Sequence, residues 1–189
     1  MEKTAVQKLA GALKVLVTIT LVCNLVALLL VPGMSLMKGP EELLALTPYE
    51  NPLEVPLRVG IAFVLSWGWV WTAGVYEVVL ALFLLFCGIC TAVILWQGRR
   101  VLGTILTGAP FRAENGVSLR RAAVCCFLIA AAALARVVWG LFYYGSVAPL
   151  LTYNALFVPI FILGGLLCLV MSALFRQAAE GGYPRAWHF

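Results

Sequence analysis

Two ionisable residues, Glu77 and Arg136, stand inside long apolar runs. A charge surrounded by lipid is costly, so it faces the interior of a helix bundle or a water-filled cavity and takes a partner. The chemistry open to such residues is an ion pair or a polar path for an ion or ligand. Arg136 lies 15 residues beyond Arg121, about 22 Å along a helix, and Glu77 lies 20 residues before Gln97, about 30 Å. Both fall in the outer part of a bundle, at depths differing by about 8 Å, a gap that long side chains can close. The spacing predicts a Glu77–Arg136 ion pair joining the second and third spans. A structural latch near the outer interface is favoured over a ligand or ion path, which Asn24 would also line. Asn24, Thr18, Thr20 and Asn154 are neutral candidates for interhelical hydrogen bonds.

Cys87-Gly88-Ile89-Cys90 has the spacing of redox and metal motifs. It sits well inside an apolar run, with no cysteine pair in a loop to exchange with. All six cysteines (Cys23, Cys87, Cys90, Cys125, Cys126 and Cys168) fall in such runs and are read as small apolar core residues. The single histidine, His188, leaves a metal site short of ligands. No metal or cofactor is expected, and no nucleotide loop, Ser/His/Asp set or catalytic carboxylate pair is present.

The elements that must carry these residues follow from composition. Of 189 residues, 63% are hydrophobic and only 11% charged, with a mean hydropathy of +1.03. Soluble domains run nearer half apolar and a quarter charged, so lipid is the solvent. The expectation is an all-α membrane protein, a bundle of four transmembrane helices over about 11–31, 72–96, 122–144 and 151–175, forming a single integral membrane domain. Pro32-Gly33 reads as the stop of the first span and Gly145-Ser146 as the turn between the last two. The third span is rich in small residues, Ala122, Ala123 and Ala130–Ala133 among them, which lets neighbours approach closely.

The net charge of +5 is a topology signal rather than a nucleic-acid footprint. Ten bases lie before the first span, between the second and third, or after the fourth; only Lys38 and Arg58 lie on the opposite side. Both termini and the 97–121 loop are therefore expected in the cytoplasm, and the protein in the cell inner membrane.

Residues 33–71 form the expected extracytoplasmic segment. Its first half is acidic and turn-rich, with Glu41, Glu42, Glu50 and Glu54. From Leu53 to Trp71 every odd position is large and apolar, ending in Trp67, Trp69 and Trp71. Two conformations fit: a β-ribbon resting its tryptophan face on the outer interface, or an N-terminal extension of the second helix. The regular period of two favours the ribbon.

The 97–121 loop reads as a short amphipathic stretch, with Leu102, Ile105 and Leu106 able to lie in the interface, followed by Gly108, Pro110, Phe111, Glu114, Asn115, Leu119 and Arg120. This Gly-x-Pro-Phe-x-x-Glu-Asn pattern with a following Leu-Arg, set between the second and third of four spans, resembles the bacterial membrane family called domain of unknown function 2975. The resemblance implies a four-helix bacterial inner-membrane protein and carries no activity.

The functional expectation is a non-enzymatic interaction or regulatory protein, with the lipid bilayer, a second copy of itself or another membrane protein as partner and no nucleic acid. The alternative is a small oligomeric channel or transporter with Glu77 and Arg136 on the path.

Overall fold

The computed structural model describes residues 5–36, 54–108, 112–145 and 147–180. They form five helices: α1 (Ala5–Leu36), α2 (Glu54–Trp69), α3 (Val75–Leu106), α4 (Ala113–Tyr144) and α5 (Tyr153–Glu180), with short 3-10 turns at Val70–Thr72 and Ala148–Leu151. Four of them are long and apolar enough to cross a membrane: Gln7–Gly33, Val75–Leu106, Ala113–Tyr144 and Asn154–Glu180. Much of their apolar surface is open, including Leu163, Leu167 and Val170 on α5. That is what lipid as solvent requires. The chain divides into two compact units, residues 25–88 and the remainder, so α1 and α3 contribute one part to each.

In the unit 25–88, the expected ribbon is absent: residues 54–69 are helical and 70–72 continue as a 3-10 turn. No strand occurs among the described residues. The period of two was a weak contrast, because even positions such as Ala62, Val64 and Val70 are themselves apolar. A helix satisfies every backbone group within its own segment, whereas a two-stranded ribbon leaves open edges. The helical alternative also needs correction, since α2 is not continuous with α3. Ala73 is extended (φ −73°, ψ 178°) and Gly74 precedes the new helix.

The first span does not stop at Pro32-Gly33. Helix α1 runs on to Leu36 with Pro32 fully buried inside it, and the Ser35 hydroxyl donates to the Pro32 carbonyl at 2.8 Å. Gly33 is buried against the Phe63 ring, close enough that a Cβ would overlap it. Four residues further along α2, Trp67 Nε1 donates to the Leu29 carbonyl at 3.1 Å. The reversed order of these two contacts makes α2 antiparallel to α1. Val31, Val70 and Ala81 form the buried core beside them, with Leu84 and Leu85 packed against it. Gly33→Ala is therefore expected to destabilise the protein by about 1–2 kcal/mol through overpacking. Thermal unfolding in detergent checks it, and adding Phe63→Val should recover most of the loss.

In the other unit, successive helices are antiparallel neighbours, as in an up-and-down bundle. Gly11 approaches Leu106, and Gly103 approaches Lys14, which sets the start of α1 beside the end of α3. Helices α4 and α5 form a hairpin: Gly116 meets Ser172 and Arg176, Gly165 meets Phe127, and Gly140 meets Pro149. Gly145 closes α4 in the left-handed conformation (φ 58°), which glycine adopts without a Cβ penalty. The small-residue face of α4 is the buried one: Ala123 and Ala133 are inaccessible and Ile129 nearly so. Without a hydrophobic drive between helices in lipid, such close backbone approach supplies the packing.

The expected 97–121 loop is largely helix. Gln97 to Leu106 continue α3 and Ala113 to Arg121 open α4, because Gln and Arg end a membrane span without breaking a helix. The amphipathic stretch is thus the last two turns of α3, stopped by Gly108 at φ 75°. Thr18 and Thr20 donate to the carbonyls of Lys14 and Leu16, at 2.7 and 3.0 Å, within their own helix; those bonds are not between helices.

Candidate functional site

The end of this unit at which α3 stops and α4 starts collects the polar groups. On α3, Gln97, Arg100, Thr104 and Thr107 recur at three- and four-residue spacing and so share one face. Opposite them, the first turns of α4 present Arg112, Glu114, Asn115 and Ser118. Gly103 and all of these but Gln97 line an open cavity of about 270 Å³, with Arg112 at the N-cap of α4, where no side chain caps the helix.

Asn115 is only 2% exposed, and its Nδ2 donates to Thr104 Oγ1 at 2.7 Å. Thr104 in turn donates to the Val101 carbonyl at 2.7 Å. One turn across, Ser172 of α5 donates to the Gly116 carbonyl at 2.7 Å. Asn115 and Gly116 therefore pin α4 to α3 on one side and to α5 on the other. Ser118 is 5% exposed and lines the cavity, yet its hydroxyl takes no hydrogen bond among the described residues. Gln97, 6% exposed, holds its Oε1 buried without a partner. Neither Ser118, Ser172 nor Gln97 stood out in the sequence; Ser118 and Gln97 become visible only once the helices continue through the expected loop.

Of the motif residues, Gly108 ends α3, Asn115 is buried in the joint, Leu119 is half-buried, and Glu114 and Arg120 are exposed. Pro110 and Phe111 lie outside the described residues, as do Glu41, Glu42, Glu50 and His188. The three tryptophans, expected on one apolar face, are all exposed. On a helix, positions 67 and 69 are about 200° apart, so they point to opposite sides.

Glu77 occupies the first turn of α3. Its carboxylate curls back over Gly74, where Oε2 would lie 2.5 Å from an added Cβ. That is the capping-box position, where an acidic group also meets the positive end of the helix dipole. Arg136 is half-buried on α4 and Asn24 half-buried on α1, and both have interaction partners; these two residues belong to the other unit. If capping is the whole role of Glu77, Glu77→Gln should cost about 0.3–1 kcal/mol. A double-mutant cycle with Arg136→Gln then returns no coupling, whereas a membrane ion pair returns a large one.

Cys87 and Cys90, read in the sequence as apolar core residues, sit on α3, and the thiol contact of Cys90 runs to a neighbouring helix. Cys90 lies thiol to thiol with Cys125, and Cys126 with Cys168, so these cysteines fill the seams between α3, α4 and α5 as free thiols. Among the described residues no group of three or more His, Cys, Asp or Glu side chains is placed to hold a metal ion.

Neither a curated relative nor a solved structure matches the chain. The four long apolar helices fit the four-helix plan of one known family, and the family model described as protein of unknown function DUF2975 matches residues 45–181, so the chain belongs to that family.

Proposed function

We propose that this is a non-enzymatic, multi-pass inner-membrane protein that acts through self-association or a membrane partner, with its basic end in the cytoplasm. One observation carries the reading. Over a short stretch of α4, Asn115, Gly116 and Ser118 are buried in the helix joint, while Arg112, Glu114, Val117, Arg120 and Arg121 are exposed beside them. The buried residues hold the backbone against two other helices, so the exposed ones form a contact surface of defined shape. The cytoplasmic assignment is supported by Lys8, Lys14, Arg99, Arg100 and Arg176, which lie towards the same end, and by the retention of positive charge on that side of membranes.

The test is mass determination of the protein extracted gently from its native membrane. The reading expects a species heavier than the 20.5 kDa chain, reduced to a single chain by Arg120→Glu with Arg121→Glu. A wild-type protein that is always a lone chain sinks it.

A further inference from the structure

The cavity between the end of α3 and the start of α4 has the features of an anion site, and we infer that it binds a phosphate group, carried either by an anionic lipid headgroup or by a soluble phosphate. The inference rests on the reading of this end as the contact face and names a ligand for it.

Three independent features converge on the same 270 Å³ space. First, Arg100 on α3 and Arg112 at the N-cap of α4 both line it, and among the described residues neither guanidinium makes an ion pair. Two forked donors on separate elements match the oxygens of a phosphate. Second, Ser118, a residue only 5% exposed, lines the cavity. It does not use the carbonyl four residues back, as Thr18 and Thr20 do, and no described group takes its proton. The hydroxyl is open to the cavity and can donate to a ligand oxygen there. Third, α4 begins in this space with no side-chain cap, leaving first-turn N–H groups and the positive end of a 32-residue helix to an outside acceptor. Lys14 Nζ adds a further cation beside Gly103, one of the lining residues.

Glu114 opposes this, since its carboxylate also lines the cavity. With Arg100 and Arg112 against Glu114 the lining stays net positive, and Glu114 becomes a brake on affinity rather than a bar to binding. Basic pockets between membrane helices are known to hold phosphorylated headgroups in this way.

The experiment uses the full chain in two arms. Inorganic phosphate is titrated by calorimetry against protein in phosphatidylcholine nanodiscs, with chloride as control. Phosphatidylglycerol retention is measured by native mass spectrometry from detergent. Saturable binding of one ligand per chain is expected in one arm, and which arm responds identifies the source. Arg100→Ala with Arg112→Ala should weaken it at least tenfold and Ser118→Ala several-fold. Glu114→Gln should tighten it several-fold, a gain that misfolding cannot produce. No saturable binding in either arm, or binding indifferent to Arg100, Arg112 and Glu114, overturns the inference. Failure here with a partner still bound overturns the phosphate site alone; phosphate binding by a chain that never associates sinks the contact-face reading and leaves this one standing.

Discussion

Gly116→Leu is expected to destabilise the protein by about 3–5 kcal/mol and to loosen α5 from the rest of its unit. The reason is distance. A Cβ at position 116 would lie 2.8 Å from Arg176 Cγ and 3.1 Å from the Ser172 carbonyl oxygen. The arginine side chain can swing away, since it is more than half exposed, but the Ser172 oxygen is backbone and moves only with its helix. A leucine therefore forces α4 and α5 apart, and the Ser172–Gly116 hydrogen bond at 2.7 Å goes with the packing. Gly116→Ala separates the two contributions. Its Cβ asks for a shift of a few tenths of an ångström, while alanine gains about 1 kcal/mol of helix propensity over glycine, so the net effect should be small. Chemical or thermal unfolding in detergent that shows alanine and leucine equally damaging would contradict close helix approach as the role of this glycine.

Asn115→Ala should cost about 2–3 kcal/mol. The side chain is buried, and its amide makes a side-chain bond between α4 and α3, the 2.7 Å contact to Thr104. Alanine's better helix propensity returns only about 0.6 kcal/mol. Thr104 also donates to Val101, so the pair works as a relay rather than an isolated bond. A double-mutant cycle with Thr104→Val should therefore show coupling near 1 kcal/mol. Additive effects would place the cost of losing Asn115 elsewhere.

The site around these residues was only partly legible in the sequence. Glu114 and Asn115 stood out as part of a short motif, but as loop residues among headgroups. The polar run around Arg99-Arg100 and Arg120-Arg121 marks where the chain leaves the hydrocarbon, and that boundary was mistaken for the end of the helices. Only Gly108, with its positive φ, marks a true break. The same distinction explains Glu77. A helix start placed at Thr72 puts it inside the span, whereas the extended Ala73 moves the start to Val75 and puts Glu77 in the first turn. Pro32 misled in the opposite direction, because proline ends helices in water more readily than in lipid, where neighbouring groups take up the freed carbonyls.

The four apolar spans were readable because length and apolarity are properties of each segment alone. The hairpin of α4 and α5 was partly so, through Gly145 and the alanine run. Residues 54–72 were not, since a period of two loses its meaning when both faces are apolar and lipid replaces water. Ser118 and Ser172 carry no local pattern at all. Their roles come from which helix lies opposite, and that is information about tertiary contact.

The central claim is that the exposed residues beside the Asn115–Gly116 joint are where this protein meets its partner. Site-specific photocrosslinking in native membranes tests it most directly, with the reactive side chain at Val117, 50% exposed on α4, and at Leu166, 48% exposed on α5. The account predicts a discrete protein adduct from position 117, either a second copy of the chain or a partner of fixed mass, and only lipid adducts from 166. Protein adducts of equal yield from both positions, or none from 117, would contradict it.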